Sequence, residues 1–230
     1  MVPQYERRLK MIQSEKQIFY KSTFEKISED KREKIFEVAI SEFASNGYSS
    51  TNINTIAKKA GISIGSMYSY FASKEDLFLT IVDKGFHLLE KALEEIHPDE
   101  GNIFEIIERL FRVTREYAEN YPEMNQIYLD LSTQGLSGLS SRLSWQMESI
   151  TARLYAQILR KAKEQGAISP DIDEQLVSFC LDNLLVMFQF SFTSDYYKDR
   201  MKIFLGDDGV RDEERIIEGI MKFVRKALEK

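Results

Sequence analysis

Little in this chain is suited to covalent or metal chemistry. Among 230 residues there are one cysteine, two histidines, four prolines and one tryptophan. The lone Cys180 excludes an internal disulfide, and its neighbours Phe179 and Leu181 mark it as a buried structural thiol in a reducing compartment. His87 and His97 share no spacing with Ser, Asp or Cys that would make a triad or a metal-ligand set. Gly135-x-x-Gly138 is a helix connection and not a phosphate-binding fingerprint. Neither catalysis nor a cofactor is expected. No apolar run exceeds the five residues Leu184 to Phe188, against the roughly 20 that span a bilayer, and the charged N-terminus carries no signal-peptide core. The expected location is the cytoplasm, with no membrane partner.

What is present is 43% apolar, 12% aromatic and 30% charged residues, which excludes collagenous and wholly disordered chains and suits one large globular domain or two small ones. The net charge of -6 is unevenly placed. Residues 1–75 hold 12 basic and 9 acidic side chains, the remainder 19 and 28. The positive excess lies in residues 1–27, with six basic against three acidic, while residues 28–75 are balanced at six each. An anion-facing N-terminal end is therefore only hinted at by charge, and geometry has to carry the argument.

Apolar residues recur at helical spacing throughout, with no alternating Val/Ile/Thr run, so the fold is predicted to be all-α, with about nine or ten helices. Residues 1–27 read as a basic arm or an extra helix. A helix starting near Ser28 presents Ile35, Phe36, Ala39, Ile40 and Phe43 on one face and ends at Asn46-Gly47. Three helices follow in quick succession. Thr51 or Asn52 caps the first, Gly61-Ile62 turns, Ser63 caps a very short second helix, and Ser73 caps a third that runs on to about Ile96. A helix, a glycine turn and a short serine-capped helix is the helix-turn-helix arrangement, in which the second helix enters the DNA major groove. Residues 28–75 are accordingly assigned to a DNA-binding domain and 76–230 to a second, acidic helical domain.

The run Ile56-Ala57-x-x-Ala60-Gly61-Ile62-Ser63, followed by Met67-Tyr68-x-Tyr70-Phe71-x-x-Lys74-Glu75-x-Leu77, resembles the DNA-binding segment of TetR-family transcriptional regulators over about 50 residues, Lys31 to Thr80. The resemblance implies contacts position by position. Thr51 and Asn52 would hold a phosphate, and Ser63, Ile64, Gly65 and Ser66 form the front of the recognition helix. Tyr68 would reach the phosphate backbone, Ser69 and Tyr70 bases or backbone, and Lys74 a phosphate; Phe71 matches a core position. The recognition helix lacks the Arg, Asn or Gln that makes bidentate base contacts, so an A·T-tolerant palindrome read partly by shape is expected.

In the second domain, two helices stand out. Residues 176–192 are apolar on nearly every side and residues 211–230 are amphipathic, so Leu176, Phe179, Leu184, Met187, Ile216, Ile220, Phe223 and Val224 are assigned to a four-helix homodimer interface. One two-turn helix reads too few base pairs for specificity, and a twofold pair reads a palindrome. The family resemblance further implies a pocket for a small apolar or aromatic effector that releases DNA. Phe104, Phe111, Tyr117, Tyr128, Trp145, Met147, Phe188 and Gln189 are its candidate lining, although aromatics at helical spacing also form plain core. The expected function is a repressor released from a double-stranded operator by such an effector. The alternative is a DNA-binding regulator controlled by a protein partner, or an architectural DNA binder, its basic arm lying in a minor groove.

Overall fold

The computed structural model describes residues 18–133 and 139–229, with the backbone alone over 139–147. Among the described residues the chain is all-α, as expected from its periodicity. In order the helices are α1 (Ser22–Glu25), α2 (Glu29–Ser50), α3 (Ile53–Lys59), α4 (Ile64–Tyr70), α5 (Lys74–Glu95), α6 (Ile103–Asn120), α7 (Pro122–Thr133), α8 (Leu139–Glu164), α9 (Glu174–Phe190), α10 (Asp195–Gly209) and α11 (Glu213–Leu228). The assignment of an arm or helix to residues 1–17 falls outside the described residues. No single helix among those described is long and apolar enough to cross a membrane.

The chain divides into two compact units. One ends at Leu88 and takes back the chain from Asp130; the other comprises Leu89–Leu129 and the chain from Ser137. The first boundary thus falls later than residue 75, because Leu77, Phe78, Ile81 and Val82 of α5 are buried and Phe78 stacks edge-on to Phe43 of α2 at 5.0 Å. The start also falls earlier than residue 28. Phe24 of α1 is 2% exposed, ringed by Phe71 at 4.7 Å, Phe36 at 5.4 Å and Tyr70 at 5.7 Å.

The core of the second unit joins α6, α8, α9 and α11 through Ile107, Leu110, Phe111, Tyr155, Leu159, Leu185, Ile217 and Leu228. Its helices start on local caps. Asn102 and Glu105 form a reciprocal capping box at α6, and Asp173 and Asp212 cap α9 and α11. At the entry to α6, His97 takes a positive φ of 48°. Arg109 supports that turn, donating to the carbonyls of Ile96 at 2.8 Å and His97 at 3.2 Å.

Two sequence assignments are corrected here. Cys180 is exposed, not buried: α9 turns Leu181, Leu185 and Phe188 inward, which leaves Leu176, Phe179 and Cys180 on the opposite side. Val224 is 1% exposed and belongs to the subunit's own core, so it offers no surface to a second copy. Of the remaining interface candidates, Leu176, Phe179 and Phe223 are strongly exposed, while Leu184, Met187, Ile216 and Ile220 are half-buried.

Candidate nucleic-acid interface

The turn between α3 and α4 follows from one glycine. Gly61 has φ +71°, a conformation that a side chain makes costly. Its N–H donates to the Lys58 carbonyl at 3.2 Å and that of Ile62 to the Ala57 carbonyl at 3.0 Å, the paired bonds of a Schellman turn. The reversal lets Ser63 start a new helix two residues later. Its hydroxyl accepts from the Ser66 N–H at 3.0 Å, and Asn52 caps α3 in the same manner, accepting from Asn54 at 2.9 Å.

The α4 helix has seven residues and a clear inner and outer side. Met67 and the following Phe71 are 0% exposed and Tyr70 is 6% exposed, whereas Ile64 is 50% and Tyr68 43% exposed. Gly65 and Ser69 lie on the outer side with them, Ser66 is half-buried, and Asn52 and Ser63 are exposed nearby. Gly65 is not demanded by packing. A side-chain carbon built there would meet nothing closer than Ser63 Oγ at 3.8 Å. The outer face of α4 is therefore a small set of hydroxyls, one isoleucine and a stretch of open backbone.

Three of the expected contacts are redirected by this geometry. Tyr70 is a core aromatic packed on Phe24, so its assignment to bases or backbone is withdrawn. Thr51 is 4% exposed, and its hydroxyl lies 2.7 Å from the Gly47 carbonyl and 3.0 Å from that of Glu42. It closes the break in α2 at Gly47, whose φ of 70° interrupts the helix. Lys74 is the third. Its ammonium lies within hydrogen-bond reach of the carbonyls of Tyr48 at 2.7 Å, Thr51 at 3.0 Å and Ser49 at 3.1 Å, and 4.6 Å from the Tyr48 ring centre. An ammonium has three N–H donors, and here all three have internal acceptors.

Sequence reasoning missed Lys21 and Thr23. Lys21 donates through Nζ to the Tyr68 carbonyl and through its backbone N–H to the Tyr70 carbonyl, each at 2.8 Å; Thr23 Oγ1 donates to the Ser69 carbonyl. These partners lie 46 to 49 residues apart in sequence, so no local pattern announces them. The one available signal was Phe24, an apolar residue amid polar neighbours.

In the second unit, the candidate effector residues separate by environment. Phe104, Phe111 and Phe188 are packed core, with Phe111 edge-on to Phe188 at 5.3 Å. Trp145 and Met147 lie outside the residues whose side chains are described. Tyr117, Tyr128 and Gln189 are half-buried and have polar partners. Tyr117 donates to Glu95 at 3.1 Å, and loss of water followed by that carboxylate pushes its pKa up to about 12. Tyr128 donates to Glu148 at 3.3 Å, and Gln189 donates to Asn125, itself buried. Asp182 is held above the usual carboxylate range, chiefly by burial. Glu148 is raised too, by loss of water and then by the charge of Asp182. The interior of this unit is less apolar than the sequence implied. Among the described residues no His, Cys, Asp and Glu are grouped to hold a metal ion.

Residues 35–81 match the family model described as bacterial regulatory proteins, tetR family. The HTH-type transcriptional repressor KstR2 of Mycobacterium tuberculosis is 27% identical over 147 residues, 64% of this chain and 74% of that protein. The HTH-type transcriptional regulator UidR of Escherichia coli is 29% identical over 158 residues, 66% of this chain and 76% of that protein. A TetR family transcriptional regulator from Chloroflexus aurantiacus shares the fold with a TM-score of 0.68 at 21% identity, over 92% of this chain and 99% of that one. The transcriptional regulator FadR of Bacillus subtilis, solved in complex with stearoyl-CoA, has a TM-score of 0.64 at 20% identity, over 81% and 95% of the two chains.

Proposed function

We propose that the chain, whose residues 35–81 match the tetR family, is a sequence-specific repressor of that family that binds a palindromic operator as a homodimer and lets go when a small molecule occupies its second unit. The observation that carries the reading is the outer face of α4, where Ile64, Gly65, Tyr68 and Ser69 are presented on a helix too short to persist without the packing beneath it. Ile64 suits a thymine methyl group, and the bare backbone at Gly65 lets the helix approach the base edges closely. With no bidentate reader on this face, discrimination rests on fit and on groove shape.

Two copies are required for useful specificity, since half-sites one helical turn apart match a twofold protein. Leu176 and Phe179 of α9 and Phe223 of α11 are the exposed apolar residues that support a joint between copies. The effector reading draws support from the relatives, one of them solved with stearoyl-CoA, and from the half-buried Tyr128 and Gln189 of the second unit. A largely apolar molecule with one or two hydrogen-bonding groups suits that mixture. It must prefer the released state by several kcal/mol to empty the operator. The reading calls for no cofactor and no catalytic step, and for a cytoplasmic location.

Selection of bound fragments from genomic DNA by the purified full-length protein tests this. The expected outcome is a recurring palindrome, retained against excess random duplex. Binding that follows salt and length but no sequence would refute the regulator reading.

A further inference from the structure

The α4 helix is closed at its start by Ser63, but nothing in its own sequence closes its end. The residue after it, Phe71, leaves in an extended conformation with φ -125° and ψ 135°. The usual device, a glycine or asparagine in the left-handed region that folds the chain back onto the last carbonyls, is absent at this end. The terminal carbonyls of a helix still need donors. Here the carbonyls of Tyr68, Ser69 and Tyr70 are met by Lys21 Nζ, Thr23 Oγ1 and the Lys21 N–H respectively. Three consecutive carbonyls are therefore supplied by one short segment distant in sequence.

That segment is itself anchored. Phe24, next to Thr23, is buried among Tyr20, Phe36, Tyr70 and Phe71, so Lys21 and Thr23 are held where the helix ends. The positive charge of Lys21 at a helix C-terminus is electrostatically favourable as well. We propose that Lys21 and Thr23 are positioning residues for DNA reading: they clamp the C-terminal end of α4, fix its angle on the bundle, and thereby set discrimination between sequences rather than overall grip on phosphates. The proposal rests on α4 being the helix that reads DNA. It assigns the residues before α2 a role that a basic arm lying on phosphates would not have.

The double variant Lys21→Met, Thr23→Val keeps the aliphatic stem and the branched shape while removing two of the three donors. Affinity for the selected operator and for random duplex is measured over a range of salt, alongside amide hydrogen exchange of α4 in the free protein. The expected result is binding to the operator weakened about tenfold, a loss of about 1.4 kcal/mol, with random-duplex affinity and salt slope unchanged, and with restoration by Lys21→Arg with Thr23→Ser. Exchange of the α4 amides quickens without DNA present. A salt slope reduced by about one per lysine, with both affinities falling together, would make Lys21 a phosphate contact and overturn the proposal. Unchanged α4 exchange would overturn it as well. Should the wild-type protein show no sequence preference, the regulator reading fails on that result, while exchange in the variant still decides whether the clamp exists.

Discussion

In the first unit, α3 and α4 start on the local caps Asn52 and Ser63, but the C-terminal end of α4 is closed from a distance. Lys21 and Thr23 reach the end of α4, Lys74 reaches the carbonyls that follow the break in α2, and the core beneath is Phe24, Phe43, Phe71 and Phe78. The second unit's helices α6, α9 and α11 likewise start on local caps, Asn102, Asp173 and Asp212. Between its helices Asn125 is 6% exposed and bonded to Gln189. The difference suits two tasks. Long-range bonds over an aromatic core give a small helix one orientation, as reading DNA demands. Hydrogen-bonded polar groups between longer helices leave contacts that a ligand can exchange.

The contrast breaks most visibly at Phe24. If residues before α2 are part of the rigid bundle, Phe24→Ala removes the ring on which Phe71 and Tyr70 pack, and stability measured by urea unfolding falls by about 3 to 5 kcal/mol. A loss below about 1 kcal/mol, the range of ordinary surface substitutions, would place that segment outside the bundle. Next in size is Lys74→Met, which leaves three carbonyls without their donor and is expected to lower stability by about 1 to 3 kcal/mol. A variant of undiminished stability whose DNA binding has a salt slope smaller by about one would restore Lys74 to the phosphate contact its sequence position suggests.

These two residues also mark how far the sequence could be read. The all-α class, the caps Asn52 and Ser63 and the glycine turn follow from neighbours within four positions, and each was legible; the outward placement of Tyr68 was implied by the family resemblance. Lys74 was identified as important for a reason the fold changes, because its acceptors lie 23 to 26 residues away. Tyr70 and Val224 failed for a related reason. Periodicity tells which residues share a face, but not whether that face meets the chain's own core, a partner or solvent. Cys180 failed in the opposite sense, since its helix is apolar on nearly every side and only packing selects the inner stripe.

In the second unit the contrast is sharpened by Asp182. Burial raises its pKa in the folded state above the unfolded value, so folding favours its protonated form. The stability linked to it is greatest below the unfolded pKa, near pH 4, and is lost as pH rises through the folded one. Asp182→Asn keeps the shape and removes the charge. Thermal unfolding at pH 7 is expected to show a gain of about 1 kcal/mol over wild type, shrinking as the pH is lowered toward 4. A loss at neutral pH would mean that the carboxylate is stabilised by partners, and a gain independent of pH would mean that the ionisation of Asp182 is not its source.

The smallest effect on folding carries the sharpest test of what the first unit is for. Gly65 lies within α4 with no neighbour nearer than 3.8 Å to a side chain built there, and its helix accepts alanine better than glycine by about 0.5 to 1 kcal/mol. On folding grounds alone Gly65→Ala should therefore stabilise the protein slightly. If α4 lies against base edges, the added methyl group pushes the backbone away from the groove, and operator affinity should fall although the protein has become more stable. Few substitutions separate the two so cleanly, because most residues on a recognition helix also hold it in place. Measuring both quantities on one preparation decides the matter: a variant that gains stability and keeps its full operator affinity would leave Gly65 away from DNA and turn the reading face toward Tyr68 and Ser69.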